Sequence, residues 1–270
     1  MRKYCHILLL IALLFTANVM TAQPLELKDL LQKVDESLNK VNTVTYKLDY
    51  FNKYLAKNDT LHSKAICSLL IVPKDKIKSY HNIDLEFEIE KGGEKYFGQR
   101  RYNGAKVLWY NKVIDSLTNN EKPEIYSDKK MKNSVVEGYS NFLLKKYFGK
   151  KDNFHAYGTK VLQAFYKDIN VTEEKLHNTP VYVLNIYHKD EKDTTRDRVE
   201  KHYFRKTDFL PIAYYSFLRW ENMEQYNYYE MVYLAINNNI SSDVFIIDED
   251  KPFKATELYN DFKNQIQQVK

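Results

Sequence analysis

The residues that could do chemistry in this chain are numerous but poorly spaced for it. The seven histidines are His6, His62, His81, His155, His177, His188 and His202, and none falls in an HxxxH, HExxH or HxH arrangement. A zinc site needs such spacing to aim two imidazoles at one point from a single element. His188 and His202 can face each other across one hairpin, with Asp190 nearby, and they read as a solvated pair rather than a metal site. Glu86, Glu88 and Glu90 alternate along one strand, so their carboxylates sit side by side. A glycosidase can use paired acids, but a charged stripe at period two is the wet face of a half-buried sheet. No GxSxG elbow places a serine for nucleophilic attack. Gly93 is followed by Glu94 and not by a phosphate-loop lysine. These patterns point to no catalytic residue, no metal and no cofactor.

What remains is aromatic and apolar, and it lies on strands. The chain holds 23 Tyr, 14 Phe and 2 Trp but only 7 Gly, a composition that favours strands. Val44, Tyr46, Leu48 and Tyr50 alternate with Thr45, Lys47 and Asp49. Residues 61–72 return from a turn at Asn58-Asp59 and stop at Pro73. Ile83, Leu85, Phe87 and Ile89 give the cleanest period-two segment, with one dry face and one wet face. Gly92-Gly93 turns the chain into residues 95–102, and Asn103-Gly104 marks a tight hairpin before residues 105–110. Further strands are expected over 181–187, 200–205, 212–218 and 227–236. Residues 115–133 read as a polar loop, and 161–169 is ambiguous between helix and strand.

Three helices are expected to position this sheet. Leu27, Leu30, Leu31, Val34, Leu38 and Val41 form one apolar stripe at helical spacing. Tyr139, Phe142, Leu143, Lys146 and Tyr147 form a second, ended by Gly149, and Leu258, Phe262 and Ile266 a short closing helix. The expected fold class is α+β: a single large curled antiparallel sheet, an open half-barrel, with helices packed on or in its concave face. One domain over 23–270 accounts for the chain, since no repeat, linker or change of composition divides it.

The first residues carry a different signal. Arg2-Lys3, an uncharged apolar run over 7–15 and a small polar stretch ending at Ala22 have the three-part layout of a secretory leader. The run is too short to span a bilayer, which takes roughly 20 apolar residues. The expected product is periplasmic or secreted and soluble after cleavage near Ala22, with no transmembrane segment. Cys5 falls within the leader, which leaves Cys67 alone, without a disulfide partner or a CxxC motif. A net charge of +5 is too small for a dedicated nucleic-acid binder.

Several segments resemble the LolA-like superfamily of exported lipoprotein and lipid carriers. Tyr102-Asn103-Gly104-Ala105-Lys106-Val107-Leu108-Trp109-Tyr110-Asn111 is similar to that family's hairpin, a turn followed by an apolar-Trp-x-Tyr strand. Ile71-Val72-Pro73-Lys74, Asp208-Phe209-Leu210-Pro211 and residues 239–245 resemble its strand ends and closing segment. The opening helix before Thr43-Val44-Thr45-Tyr46 also resembles the amino-terminal modules of some Bacteroidetes thioredoxin-like secreted proteins. Two features depart from the carrier pattern: Lys74, Lys76 and Lys78 stand where it has an arginine, and Asn103 replaces its turn aspartate. The resemblance implies an open barrel with helices at its mouth.

The expected function is a non-enzymatic carrier or binding protein for a lipid, a lipoprotein acyl chain or another hydrophobic ligand. The expected lining residues are Trp109, Leu108, Phe87, Leu85, Tyr46 and Tyr214, with the helices over 25–41 and 137–149 as a lid. A one-residue slip in strand register would exchange inside and outside. Two alternatives stay open. One is a cell-envelope interaction module with a filled core, a transient protein partner and a tyrosine-rich contact surface over 214–233. The other is an enzyme whose site follows no known pattern.

Overall fold

In a computed structural model of the protein, residues 25–55, 59–75, 77–90, 92–127, 143–145, 147–148, 166–190 and 196–268 are described. The expected leader and most of the expected 137–149 helix lie outside the described residues. The chain opens with helix α1, Leu27–Leu38, which buries Leu30, Leu31, Val34 and Leu38 along one stripe. Eleven strands follow: β1 Thr43–Lys53, β2 Thr60–Ile71, β3 Ser79–Ile89, β4 Lys95–Tyr102, β5 Lys106–Val113, β6 Glu124–Ser127, β7 Tyr166–Leu176, β8 Thr179–His188, β9 Arg196–Arg205, β10 Pro211–Trp220 and β11 Met223–Ile236. Helix α2, Ala255–Gln268, closes the described chain.

All eleven strands form one antiparallel sheet, in the order β6-β5-β4-β3-β2-β1-β11-β10-β9-β8-β7. Each half is a meander of hairpins. The halves join at the centre, where β1 pairs with β11, Leu48 opposite Met231 and Tyr50 opposite Tyr229. The chain leaves β6 at one edge and returns in β7 at the other. The described part of that connection docks on α1: the Asp35 carboxylate accepts the backbone N–H groups of Tyr147 at 2.7 Å and Phe148 at 2.8 Å.

The sheet curls. One core cluster joins Leu30, Leu31 and Val34 of α1 to Leu85 of β3, Leu48 of β1 and Leu184 of β8, with Val171 of the edge strand β7 packed against it. Laid flat, the eight strands from β3 to β7 would be roughly 34 Å wide at about 4.8 Å per strand. An antiparallel sheet this wide twists and coils rather than lying flat, and its α1 face holds the larger core cluster. The face carrying α1 is the concave one.

The closing helix packs on the other face. Its Phe262 meets Phe97, ring centroids 6.1 Å apart, and the same cluster holds Ile66, Leu108 and Tyr110. The Tyr259 hydroxyl donates to Glu86 at 2.9 Å. Asp84 sits on this face too, where burial pushes its carboxyl up against a 2.7 Å bond from Gln99. The acidic face of β3 is thus wet only toward its tip. A helix distant in sequence covers the rest, which period-two alternation cannot reveal.

The ambiguous 161–169 segment falls in the strand β7, from Tyr166 onward, and the polar loop over 115–133 contains the strand β6. Both are edge strands of the sheet.

Candidate functional site

At the tip of the β1–β2 and β3–β4 hairpins a pocket of about 320 Å³ is lined by Tyr54, Asp59, Thr60, Leu61, Leu85, Phe87, Ile89 and Arg100. Alternation along β3 sends Leu85 and Phe87 to the concave face with Ile83. Tyr54 and Ile89 at the rim are 43 % and 38 % exposed, whereas Arg100 in the wall is 4 % exposed. Leu61, Leu85, Phe87 and Ile89 give the lining its apolar part, and Asp59, Thr60 and Arg100 its polar part.

Arg100 is held from several directions. Its Nη1 donates to the carbonyls of Tyr110 at 2.6 Å and Gln99 at 2.9 Å, and its Nη2 to Asn111 Oδ1 at 2.7 Å. The guanidinium lies on the face of Trp109, 3.3 Å from the ring centroid, a stacked cation–π contact. Gly98 makes the room: a Cβ there would stand 2.5 Å from Asn111 Oδ1 and 3.2 Å from Arg100 Nη1. Because Gly98 pairs with Leu85 and Arg100 with Ile83, the guanidinium is anchored deeper along the sheet than Phe87, whose partner is Tyr96.

The expected lining residues separate accordingly. Leu85 and Phe87 line this pocket. Trp109 lies beneath the arginine that lines it. Leu108, its neighbour in sequence, points to the opposite face and packs under α2, because successive strand side chains alternate. Tyr46 is fully buried in the concave core, edge-on to Tyr233 at 6.4 Å. Tyr214 stands apart from the pocket, on the strands beyond β11. Arg100 is absent from the expected set. Its signal in the sequence is a basic residue on the dry face of a strand, with a stacking tryptophan directly opposite in the hairpin register.

Tyr214 belongs to a second cluster on the concave face. Glu200 accepts from His188 Nε2 at 2.8 Å and Arg198 Nη2 at 3.0 Å, and lies 3.6 Å from His202 Nε2. Burial pushes the Glu200 carboxyl up, but the bonds from the two histidines outweigh it and hold the group well below the usual carboxylate range. Burial brings His202 down to about 4 despite Glu200, and Lys145 down to about 8. The Lys145 ammonium lies over the Tyr214 ring at 5.2 Å. His188 and His202 do share a face, as their hairpin spacing suggests. Their common acid is Glu200, since Asp190 instead accepts from the Asp197 backbone N–H at 3.2 Å. His202 is buried and His188 partly buried, so the pair is not a solvated one, and among the described residues no group of three or more His, Cys, Asp or Glu could hold a metal ion. The cluster joins β8 to β9 through His188 and Glu200, and Lys145 reaches β10 through the Tyr214 ring.

A second depression, about 340 Å³, lies on the convex side between Lys47, Asp49, Phe51, His62, Tyr228 and Glu230. Its polar groups bond to one another: His62 with Asp49 at 2.7 Å, and the Tyr228 hydroxyl to Glu230 at 2.7 Å. The tyrosine-rich stretch over 214–233 is divided between the two faces: Tyr229 stacks with Tyr50 and Tyr214 on the concave side, and Tyr228 lines the convex depression. Cys67 is buried, and burial pushes its thiol up, so it is an inert core group. No helix among the described residues is long and apolar enough to cross a membrane.

No protein-family model matches the chain, and no curated protein matches it in sequence. Solved structures similar to it exist at low identity. LprF from Mycobacterium bovis is 4 % identical with a TM-score of 0.43, over 82 % of this chain and 96 % of LprF. MucB is 12 % identical with a TM-score of 0.36, over 84 % of this chain and 64 % of MucB, so the chain spans less than two thirds of that protein's length. A LolA superfamily protein from Nitrosomonas europaea is 10 % identical with a TM-score of 0.26, over 81 % of this chain and 96 % of that protein.

Proposed function

We propose that the protein is an exported, non-enzymatic binding protein that holds a hydrophobic ligand on the concave side of its sheet. The pocket between the β1–β2 and β3–β4 tips carries this reading. Its volume of about 320 Å³ falls at the small end of ligand pockets, about 300–1,000 Å³. Leu61, Leu85, Phe87 and Ile89 supply apolar walls, and each Å² of apolar ligand surface they cover gains about 25 cal/mol. The half-exposed rim residues Tyr54 and Ile89 leave a route in from solvent. The basic-apolar-polar layout of the first 22 residues supports export. The resemblance of the 102–111 hairpin to lipid and lipoprotein carriers is consistent with the same role.

The test is native mass spectrometry of the protein purified gently from its own envelope, before and after extraction with organic solvent. A stoichiometric adduct that extraction removes is expected, together with re-uptake of an acyl compound by the stripped protein. A bare mass with no re-uptake would overturn the reading.

A further inference from the structure

The apolar part of the pocket borders two buried polar atoms that no neighbour meets. On the concave face, strands β1, β2 and β3 set their residues in rows: Asn52, Leu61 and Ile89 in one, Tyr50, Ser63 and Phe87 in the next, Leu48, Ala65 and Leu85 in the third. Leu61, Leu85, Phe87 and Ile89 line the pocket. Asn52 and Ser63 extend the same block toward β1 and are 5 % and 1 % exposed. Asn52 Nδ2 donates to the Tyr50 hydroxyl at 2.6 Å, but among the described residues Asn52 Oδ1 and Ser63 Oγ have no hydrogen-bond partner. We propose that the ligand is a single-chain amphiphile with an uncharged, hydroxyl-bearing head, which donates to Asn52 Oδ1 and accepts from Ser63 Oγ while its chain lies against Leu61, Phe87 and Leu85. This rests on the pocket's being a ligand site and narrows what that ligand is.

Three observations carry the assignment. The first is the cost of the two atoms. Buried polar groups are nearly always met, and one left unmet forfeits its full hydration. Two of them on one face, on neighbouring strands, mark a place that a bound group completes. The second is position. Ser63 stands one strand spacing, roughly 5 Å, from Phe87 and two residues along β2 from Leu61. A head that reaches its hydroxyl therefore leaves the chain on residues that line the pocket. On this face the next β2 residues are Ala65 and Cys67, both in the core, so packing alone asks for nothing polar at 63. The third is the chemistry of the pair. The Asn52 amide oxygen only accepts, whereas the Ser63 hydroxyl donates and accepts. A carboxylate, an ester or an ether has no proton for Asn52. An ammonium has donors, but it brings a charge into a block whose other residues include Leu61, Ala65 and Phe87. A hydroxyl meets both atoms and carries no charge.

The experiment compares three compounds of equal chain length on the solvent-stripped protein, each below its aggregation concentration: dodecanol, its methyl ether and dodecanoate. Dodecanol is expected to bind roughly tenfold tighter than the ether, the scale of meeting one buried acceptor, and tighter than dodecanoate. Asn52→Leu is expected to bring dodecanol down to the level of the ether and leave the ether unchanged. Ser63→Ala should weaken both and keep their ratio, since both accept from its hydroxyl. Ser63→Ala should also raise the denaturant midpoint of the stripped protein, because it deletes an unmet buried group. Equal affinities for alcohol and ether, the result if water alone meets the two atoms, would overturn the head assignment while leaving the pocket a hydrophobic site. So would dodecanoate as the tightest of the three, a preference for dodecanol that survives Asn52→Leu, or a lowered midpoint in Ser63→Ala. Failure of all three compounds to bind would overturn the binding function as well. If Asn52→Leu does not fold, the ranking in the unmodified protein and the Ser63→Ala results decide.

Discussion

Burying ionisable side chains costs stability unless their polar atoms are met, and this protein buries several on its concave face. Arg100 is met by a ring and three oxygens, Glu200 by two imidazoles and a guanidinium. His202 and His81 are the ones whose burial shows in solution. Burial holds both near 4, with Glu200, Lys145, Tyr147 and Tyr214 around His202 and Ser79, Asp75 and Tyr102 around His81. Between pH 6.5 and 4 the unfolded chain therefore binds protons that the native protein refuses. Stability falls as pH falls through that window, at up to about 1.4 kcal/mol per pH unit for each histidine. Denaturant midpoints at pH 7 and pH 5 should differ accordingly, and His81→Asn should lessen the difference; a pH-independent midpoint would contradict the burial of both groups. At this scale the sequence was partly legible. The hairpin spacing of His188 and His202 showed that they share a face. It could not show that Glu200 joins them, because the acid's reach depends on the β8–β9 register, in which Glu200 pairs with Ile186 and His202 with Leu184.

Strands with one dry face announce themselves, and the interior strands were readable for that reason. The two strands that escaped, β6 and β7, are the edges. Glu124-Ile125-Tyr126-Ser127 and the Glu173-Glu174-Lys175 portion of β7 are mostly exposed and polar. Such residues protect an unpaired edge from joining another sheet, and the same protection removes the alternation by which a strand is recognised. One side chain fastens the end of the central junction, whose β1–β11 ladder runs from Val44 opposite Ile236 to Lys53 opposite Tyr226. Asn237, at φ 56°, accepts from the Asn42 backbone N–H at 2.7 Å and donates to the Lys40 carbonyl at 2.8 Å, fastening the end of β11 to the turn between α1 and β1. Asn237→Ala loses both bonds and places a Cβ residue without Asn's tolerance in the left-handed region. A loss of about 2 kcal/mol is expected, read as an earlier denaturant midpoint with an unchanged slope. Asn237→Gly, which keeps the backbone freedom, should lose less.

Among the described residues, the molecule is one sheet with α1 on one side and α2 on the other, and the two sides do different work. Helix α1 fills the concave face below the pocket, and α2 seals the convex face of β2–β5. Phe262→Ala should therefore cost about 3–4 kcal/mol of stability through the cavity it leaves against Phe97. It should not change ligand uptake per folded molecule, since the pocket opens on the other face. Phe87→Asp is the converse: a half-buried residue at the pocket wall, whose substitution should reduce acyl uptake tenfold or more by placing a charge against the chain, with a smaller effect on folding. Parallel measurement of thermal midpoint and uptake in the two variants separates the faces, and equal losses of uptake in both would argue against that separation. The sequence by itself determined the sheet, the amphipathic helices, the turns and the dry faces that carry Leu85, Phe87 and Trp109, because these follow from local periodicity of 2 and 3.6 residues and from Gly, Pro and Asn positions. Only the tertiary structure decided that β1 pairs with β11, that α2 covers an acidic strand face, that Leu108 and Trp109 serve opposite sides, and that Arg100 lines the pocket. Each of these depends on contacts between residues far apart in the chain, whose energies no local pattern records.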